Sequence, residues 1–485
     1  MSYLITGYTD FRVIKLLGFF NLILLAYSFF LVYKSSNKGI LSFIPIAFLL
    51  FSPIVYGVHL WAITSFQYTL SVAFSLLSLF FLQPSKSSAW YWGMLFAILA
   101  TLTNLDGLSV IPIGLVWLIM QQRRKESLWY LAFSVIYLFI YFQGFKFSVA
   151  SKVLPFSELL PIASLSFVAF TGSFASILSD THGFKLSLLL GAVILLGFVV
   201  LQLLKLRRNL SNTSFLKSLT LQFDFTDIAL LRLLATAVMI AIGRSSDGPE
   251  GVLALRFLVY SVSILILFYL LILKIFKNRS LVIFKVSAFA FAILSWGFIY
   301  LKFDAGVKTM GSELKSDSFN YTNNQIFLHQ YFDLTELGPS FYRNYRFPEF
   351  FGKNAVSLWK SEIQKANGGG NYMMVADEVG KTGIYSKYFF PVTEVRLNDI
   401  PPTIPSTEVY LGLLSNSDPE HFYLVALRDL NNSWQSRVFK RNLNRKFFVS
   451  IEGKVRKGVY HAGICWLEQG KPKILPVAGS LSIGH

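Results

Sequence analysis

Arg256 stands inside an apolar run, VLALRFLVY, and a charge in such a setting lines a cavity, pairs with another charge or snorkels to an interface. A guanidinium held there can clamp a phosphate through two parallel hydrogen bonds. It can equally pair with Asp247 or Glu250 of the preceding loop, GRSSDGPEG, which also carries Arg244. Asp106 lies in TNLDGLS. Asn, Asp and Gly suit a tight turn, and a carboxylate at the mouth of a cavity can also take a proton from an acceptor hydroxyl. His59 beside Trp61 reads as an interfacial aromatic pair or as a base, and Asp10, in GYTDFR, is the only acid before residue 106. Arg232, within ALLRLLATA, is expected to snorkel or to pair with Asp227. His421, His461 and His485 are too scattered to propose a metal site.

The elements that must position these groups are membrane helices. Runs such as VIKLLGFFNLILLAYSFFLVY and FKLSLLLGAVILLGFVVLQLL recur through roughly the first 300 residues, and about 20 apolar residues span a bilayer core of about 30 Å. Hydrophobic residues make up 54% of the chain and charged ones 14%, against about 25% in soluble domains. Spans are expected near 13–33, 40–57, 66–82, 88–103, 106–121, 127–143, 184–204, 226–243, 256–276 and 281–301. The net charge of +18 does not point to nucleic acid. Residues 1–301 hold about 22 Lys and Arg against about 9 Asp and Glu, mostly in short loops, which is an orientation signal rather than a phosphate-binding face.

Basic clusters at Arg123–Lys125, at Lys205, Arg207 and Arg208, and at Lys274, Lys277 and Arg279 mark the cytoplasmic side. They share one side if the segment 160–178, with its Pro161, Thr171 and Gly172, is interfacial or re-entrant. Ten crossings then leave both termini outside. The first span enters from outside with Arg12 and Lys15 at its outer end, against the usual charge rule. Either a short tail crosses unaided or a span and loop precede Met1.

Beyond Lys302 the pattern changes. Residues 302–371 read as mixed helix and loop. Residues 372–485 carry short strands with partial two-residue alternation, among them NYMMVAD, TEVYLGLL, HFYLVALRD and GVYHAGICWLE, with a hairpin across EQGK. The expected fold class is therefore a polytopic α-helical membrane protein, domain 1–301, with a C-terminal extracytoplasmic α+β or β-sandwich domain. Cys465 is the only cysteine, so no intrachain disulfide forms. No phosphate loop, HExxH helix or GxSxG elbow occurs.

The many-span array with its outward terminal domain resembles the GT-C glycosyltransferases of bacterial membranes, relatives of protein mannosyltransferases and of the lipid A aminoarabinose transferase. Within it, AIGRSSDGPEGVLALRFLVYS is similar to a glycine–arginine loop followed by an Arg-aromatic helix start in GT-C-like proteins, and FLLFSPIVYGVHLWAITSFQYTL to their early spans. The likeness covers the first 300 residues in architecture and about 40 in local pattern. It implies a bacterial cytoplasmic-membrane protein that moves a sugar from a polyprenyl-phosphate donor to an envelope glycan, lipid or protein on the outer face. Asp106 or Asp10 would be the catalytic carboxylate, and Arg244, Asp247, Glu250, Arg256 and His59 would bind substrate and its phosphate. No cofactor is certain, and a divalent metal is left open. The family's acid lies in the first outer loop, often as paired carboxylates, and this sequence has no such pair: either the catalytic segment lies upstream of it or the protein is not a transferase. The alternatives from other classes are a polysaccharide polymerase or ligase, a transporter or flippase of envelope lipids or glycans, and a non-catalytic membrane scaffold.

Overall fold

The computed structural model describes residues 11–34, 39–55, 64–144, 155–179, 181–210, 223–275, 278–329, 349–365, 377–382, 385–392, 404, 408–429, 447–451, 455–456 and 458–483. The chain divides into two compact units, 11–300 and 301–485 with 1–10.

The first unit is helical: α1 (Phe11–Lys34), α2 (Ile44–Leu50), α3 (Leu70–Phe81), α4 (Trp90–Thr103), α5 (Val110–Met120), α6 (Arg124–Tyr141), α7 (Phe156–Thr171), α8 (Gly183–Leu210), α9 (Phe225–Gly243), α10 (Leu258–Ile275) and the first part of α11 (Asn278–Asn324). Among the described residues five helices are long and apolar enough to cross a membrane: those over Leu16–Lys34, Gly183–Arg207, Phe225–Gly243, Leu255–Ile275 and Leu281–Asn324. They coincide with five of the ten expected spans. The helices at four others are shorter apolar ones, Ile40–Leu50, Ser65–Phe81, Trp90–Thr103 and Leu105–Met120. The remaining expected span, 127–143, falls on α6, which begins with Arg124, Lys125 and Glu126. Segment 160–178 is no single helix: α7 ends at Thr171 and a tight turn, Ser173–Leu178, follows.

Side chains show how these helices meet an apolar surrounding. Leu258, Val262, Ile264, Ile266, Leu267, Leu270 and Leu271 of α10 are buried, so α10 is enclosed by its neighbours. On α8, Leu189, Val193, Leu196, Val200 and Leu203 are exposed, a face that lipid would cover. Several serine hydroxyls bond backbone carbonyls within the bundle. Ser75, Ser134 and Ser263 donate to carbonyls four residues back, and Ser78 donates across to the Gly93 carbonyl of α4 at 2.7 Å. Where α7 and α8 touch, a Cβ on Gly172 or Gly191 would collide with the partner's backbone, so only glycine lets them approach.

The second unit opens within α11, which runs unbroken to Asn324. Residues 302–324 continue the helix of the preceding span, where a mixed helix and loop segment is expected. Among the described residues there follow α12 (Lys353–Lys365) and eight strands: β1 (Asp377–Thr382), β2 (Tyr385–Val392), β3 (Val409–Ser415), β4 (Phe422–Ala426), β5 (Arg428–Asp429), β6 (Phe447–Ile451), β7 (Gly458–Glu468) and β8 (Lys471–Ile483). They form two antiparallel sheets, ordered β1-β2-β6-β5 and β4-β3-β7-β8. Strand β3 is buried along its whole length, so both faces of its sheet are covered. One face carries Leu411, Leu413, Val425, Ile464 and Trp466, and the other packs Tyr410, Leu424 and Cys465 against Phe351, Trp359 and Ile363. The helical cover from α12 is the departure from a plain sandwich. Gln469 and Gly470, both with positive φ, turn β7 into β8 across EQGK. Of NYMMVAD only Asp377 is described, and it opens β1.

Candidate functional site

Asp106 lies in a tight turn, Leu105–Ser109, between α4 and α5. The Asn104 side chain caps that turn by accepting from the Leu105 N–H at 2.9 Å. Gly107 is required there, since a Cβ would meet the Ala100 and Thr101 backbone. The Ser109 hydroxyl closes the turn on the Asp106 carbonyl at 2.8 Å and lies 3.3 Å from the Thr236 hydroxyl of α9. The sequence signals of a turn are thus realised, but Asp106, Gly107 and Ser109 are buried and the carboxylate faces three other helices.

Asp106 is 5% exposed and Arg232, from α9, is 0% exposed. The Arg232 Nη2 reaches Asp106 Oδ2 at 3.2 Å. Tyr260, from α10, donates to the same oxygen at 2.8 Å. The Ser71 hydroxyl of α3 is 3.1 Å from both carboxylate oxygens and 3.0 Å from Arg232 Nη2. Asn104 Nδ2 approaches the Tyr260 hydroxyl at 3.5 Å. The Nε and Nη1 of Arg232 have no hydrogen-bond partner among the described residues. Its expected pairing with Asp227 is therefore corrected. Asp227 is taken by Lys205, at 2.6 Å, and by Gln202, at 2.6 Å, because it caps the start of α9 while Arg232 lies further along the helix.

An aromatic column leads outward from this pair. Tyr68 meets Tyr260 edge-on with ring centres 5.9 Å apart and meets Phe257 at 5.6 Å. Phe170 packs on both Phe257 and Tyr260. The guanidinium groups of Arg256 and Arg244 lie over the Phe257 ring, 5.1 and 5.9 Å from its centre. Tyr68 is within electrostatic reach of Arg256, Arg244 and Asp106 alike.

Of the two acids offered as partners for Arg256, Asp247 binds Arg244 instead, at 3.1 Å. Arg244 and Asp247 stand three positions apart, the spacing of neighbours on one helical turn. Glu250 is exposed. Among the described residues Arg256 makes no ion pair, and its Nε is buried without a hydrogen-bond partner. The fold thus gathers Asp106, Arg244, Asp247 and Arg256 around Tyr68 and Phe257. His59 and Asp10 lie outside the described residues. Ser71, Tyr260, Tyr68 and Phe257 went unremarked in the sequence, and the one available signal was Arg232, an arginine inside an apolar helix.

At the other end of α9 a second charged group gathers. Asp224 caps the helix through the Thr226 N–H, and Lys274 of α10 reaches it at 3.1 Å. Lys205 of α8 binds Asp227 beside it. Among the described residues no His, Cys, Asp and Glu cluster gathers the donors of a metal site. No family model, no curated protein and no solved structure matches this chain.

Proposed function

We propose that the chain is a multi-pass membrane protein of the bacterial envelope that acts on a lipid-linked phosphate, as a glycosyltransferase-like protein moving a sugar from a polyprenyl-phosphate donor to an acceptor on the outer face. One observation carries this proposal: Arg256, half-buried and without an ion-pair partner among the described residues, sits over Phe257 at the head of an aromatic column that ends at a carboxylate. A free guanidinium beside aromatic rings suits a phosphate whose lipid tail stays in the bilayer. In the proposed reaction the acceptor oxygen attacks the anomeric carbon and the bond from that carbon to the phosphate oxygen breaks. The leaving phosphate keeps the electron pair, with Arg256 and Arg244 stabilising its charge. Asp106 takes the acceptor's proton, with the acceptor hydroxyl replacing the Ser71 or Tyr260 hydroxyl at its oxygens. Ten crossings, with the C-terminal unit on the outer face, complete the proposed arrangement.

The test is sugar transfer by purified full-length protein given a polyprenyl-phosphate sugar, with surface glycans compared in the strain. Arg256→Ala is expected to lower transfer at least about 100-fold at normal protein levels, the scale of losing one stabilising donor. Unchanged transfer and unchanged glycans in Arg256→Ala and Asp106→Asn would remove both residues from the reaction. Transport is the alternative, favoured by the Asp106–Arg232 pair inside the bundle, where ionisable residues line substrate and ion pathways. Flux into liposomes without sugar transfer would select it.

A further inference from the structure

We propose that Arg232 is a proton-linked anion site: an anionic oxygen binds its free guanidinium nitrogens, and Asp106 takes up a proton as it does so. Such a site shares Asp106 with the proposed transfer but needs neither Arg256 nor a sugar donor. Arg232 Nε and Nη1 are two fully buried donors with no partner among the described residues. Guanidinium donors in a dry interior require acceptors. Asp106 satisfies only Nη2, which it shares with Ser71.

Charge balance links the anion to a proton. Arg232 and Asp106 together are neutral, so an arriving anion leaves one uncompensated negative charge in a low-dielectric interior. The charged and titratable groups facing Asp106 are Arg232 from α9 and Tyr260 from α10, while Ser71 from α3 contributes a neutral hydroxyl. Tyr68 stands next outward, with Arg244 and Arg256 beyond it. None of the three groups in contact with Asp106 can neutralise the extra charge; the carboxylate itself can, by accepting a proton. The geometry tolerates this. The Ser71 hydroxyl can rotate to accept from a protonated Asp106, and Tyr260 can keep donating to its other lone pairs. Protonation also frees Arg232 from its counter-ion, so its whole charge faces the anion. Tyr68, only half-buried, marks the side from which an anion reaches the pair.

The ligand class is a phosphate oxygen, free or carried on a lipid. Binding of inorganic phosphate to the full chain in phosphatidylcholine nanodiscs is measured by calorimetry across pH, in two buffers of different ionisation enthalpy. Uptake of one proton strengthens binding by as much as about tenfold for each unit that pH falls, and the buffer comparison counts it once the protons exchanged by phosphate itself, measured on Asp106→Asn, are subtracted. Asp106→Asn, which imitates the protonated acid, is expected to keep binding and to show only the pH dependence and proton exchange of phosphate itself. Arg232→Gln is expected to lose binding. If phosphatidic acid in the nanodiscs blocks free phosphate, the occupant is a lipid phosphate; if it does not, the occupant is the free ion. Binding by folded wild-type protein that is absent, or equal in strength across pH with no proton taken up, overturns the proposal without any variant. Loss of sugar transfer in Arg256→Ala with these results intact would separate the two sites.

Discussion

Asp106 and Arg232 stand 126 positions apart and meet only because α9 packs against the turn between α4 and α5. Removing one partner of a buried pair leaves the other charge uncompensated, which typically costs about 3–5 kcal/mol, whereas replacing both with apolar residues is often neutral. Arg232→Leu is therefore expected to lower the unfolding temperature in detergent sharply, and Arg232→Leu with Asp106→Leu to recover most of it. Additive losses in that cycle would show that the pair is not coupled. Cys465 gives a second expectation at this scale. It is fully buried, and burial pushes its thiol well above the usual range. Maleimide should fail to label it in the folded protein and label it fully on unfolding. Some of this was legible in the sequence and some was not. The turn at Asn104–Gly107 follows from residue types that favour it, and the intramembrane arginine flagged itself. The partner of that arginine did not, since pairing across 126 residues is set by which helices cross, and no local pattern records it. Tyr68 and Phe257 were invisible for a related reason: among so many aromatics, a ring that shields a site looks like one that meets lipid.

Elements repeat the lesson. Five long spans were legible because about 20 apolar residues in a row have few other uses. The interruption after Thr171 and the run of α11 through residue 302 were less so, because the first depends on tertiary contact at Gly172 and Gly191 and the second on a helix that stays intact after its apolar stretch ends. Those glycines make a testable contrast. Gly191→Ala forces its new methyl into the Val168 carbonyl and should destabilise the bundle by about 1–3 kcal/mol. Gly243→Ala, with nothing within 4 Å of the added carbon, should be neutral. Equal melting temperatures for the two would mean that α7 and α8 do not meet there. In the second unit, β4 is an edge strand whose outward groups are taken by side chains. Asn320 of α11 donates to the Leu424 carbonyl at 2.6 Å and accepts from its N–H at 2.9 Å, as a neighbouring strand's peptide would. Asn324 reaches the Phe422 carbonyl at 2.8 Å, and His329, itself held by Asp317, accepts from the Ala426 N–H. An exposed edge invites pairing with another chain, and here side chains close it. Asn320→Leu leaves the Leu424 N–H unpaired, a loss of about 1–3 kcal/mol. Aggregation on heating should rise with it, and light scattering during a thermal ramp reads both.

For the whole molecule the decisive property is sidedness, and α9 carries the argument. Its 19 residues, Phe225–Gly243, rise about 28 Å, close to the thickness of a bilayer core. One end is clasped by Lys205 and Lys274 through Asp227 and Asp224, so the basic ends of α8 and α10 share a side. The other end opens into the Arg244–Asp247 loop. In the proposed orientation, with Lys and Arg on the cytoplasmic side of short loops, the clasp faces inward and the arginine rim outward. Because Cys465 is buried, single cysteines can be added to the otherwise natural chain. Ser246→Cys, exposed beside Asp247, should react with a membrane-impermeant maleimide in intact cells, and Arg207→Cys, exposed near the end of α8, only after the membrane is opened. A reporter fused after His485 should be active outside the cytoplasm, since the proposed ten crossings leave the C-terminal unit there. The opposite labelling pattern would put the arginine rim in the cytosol, where a polyprenyl-phosphate sugar on the outer leaflet cannot reach it, and the proposed transfer would fail on geometry even if every contact around Asp106 held.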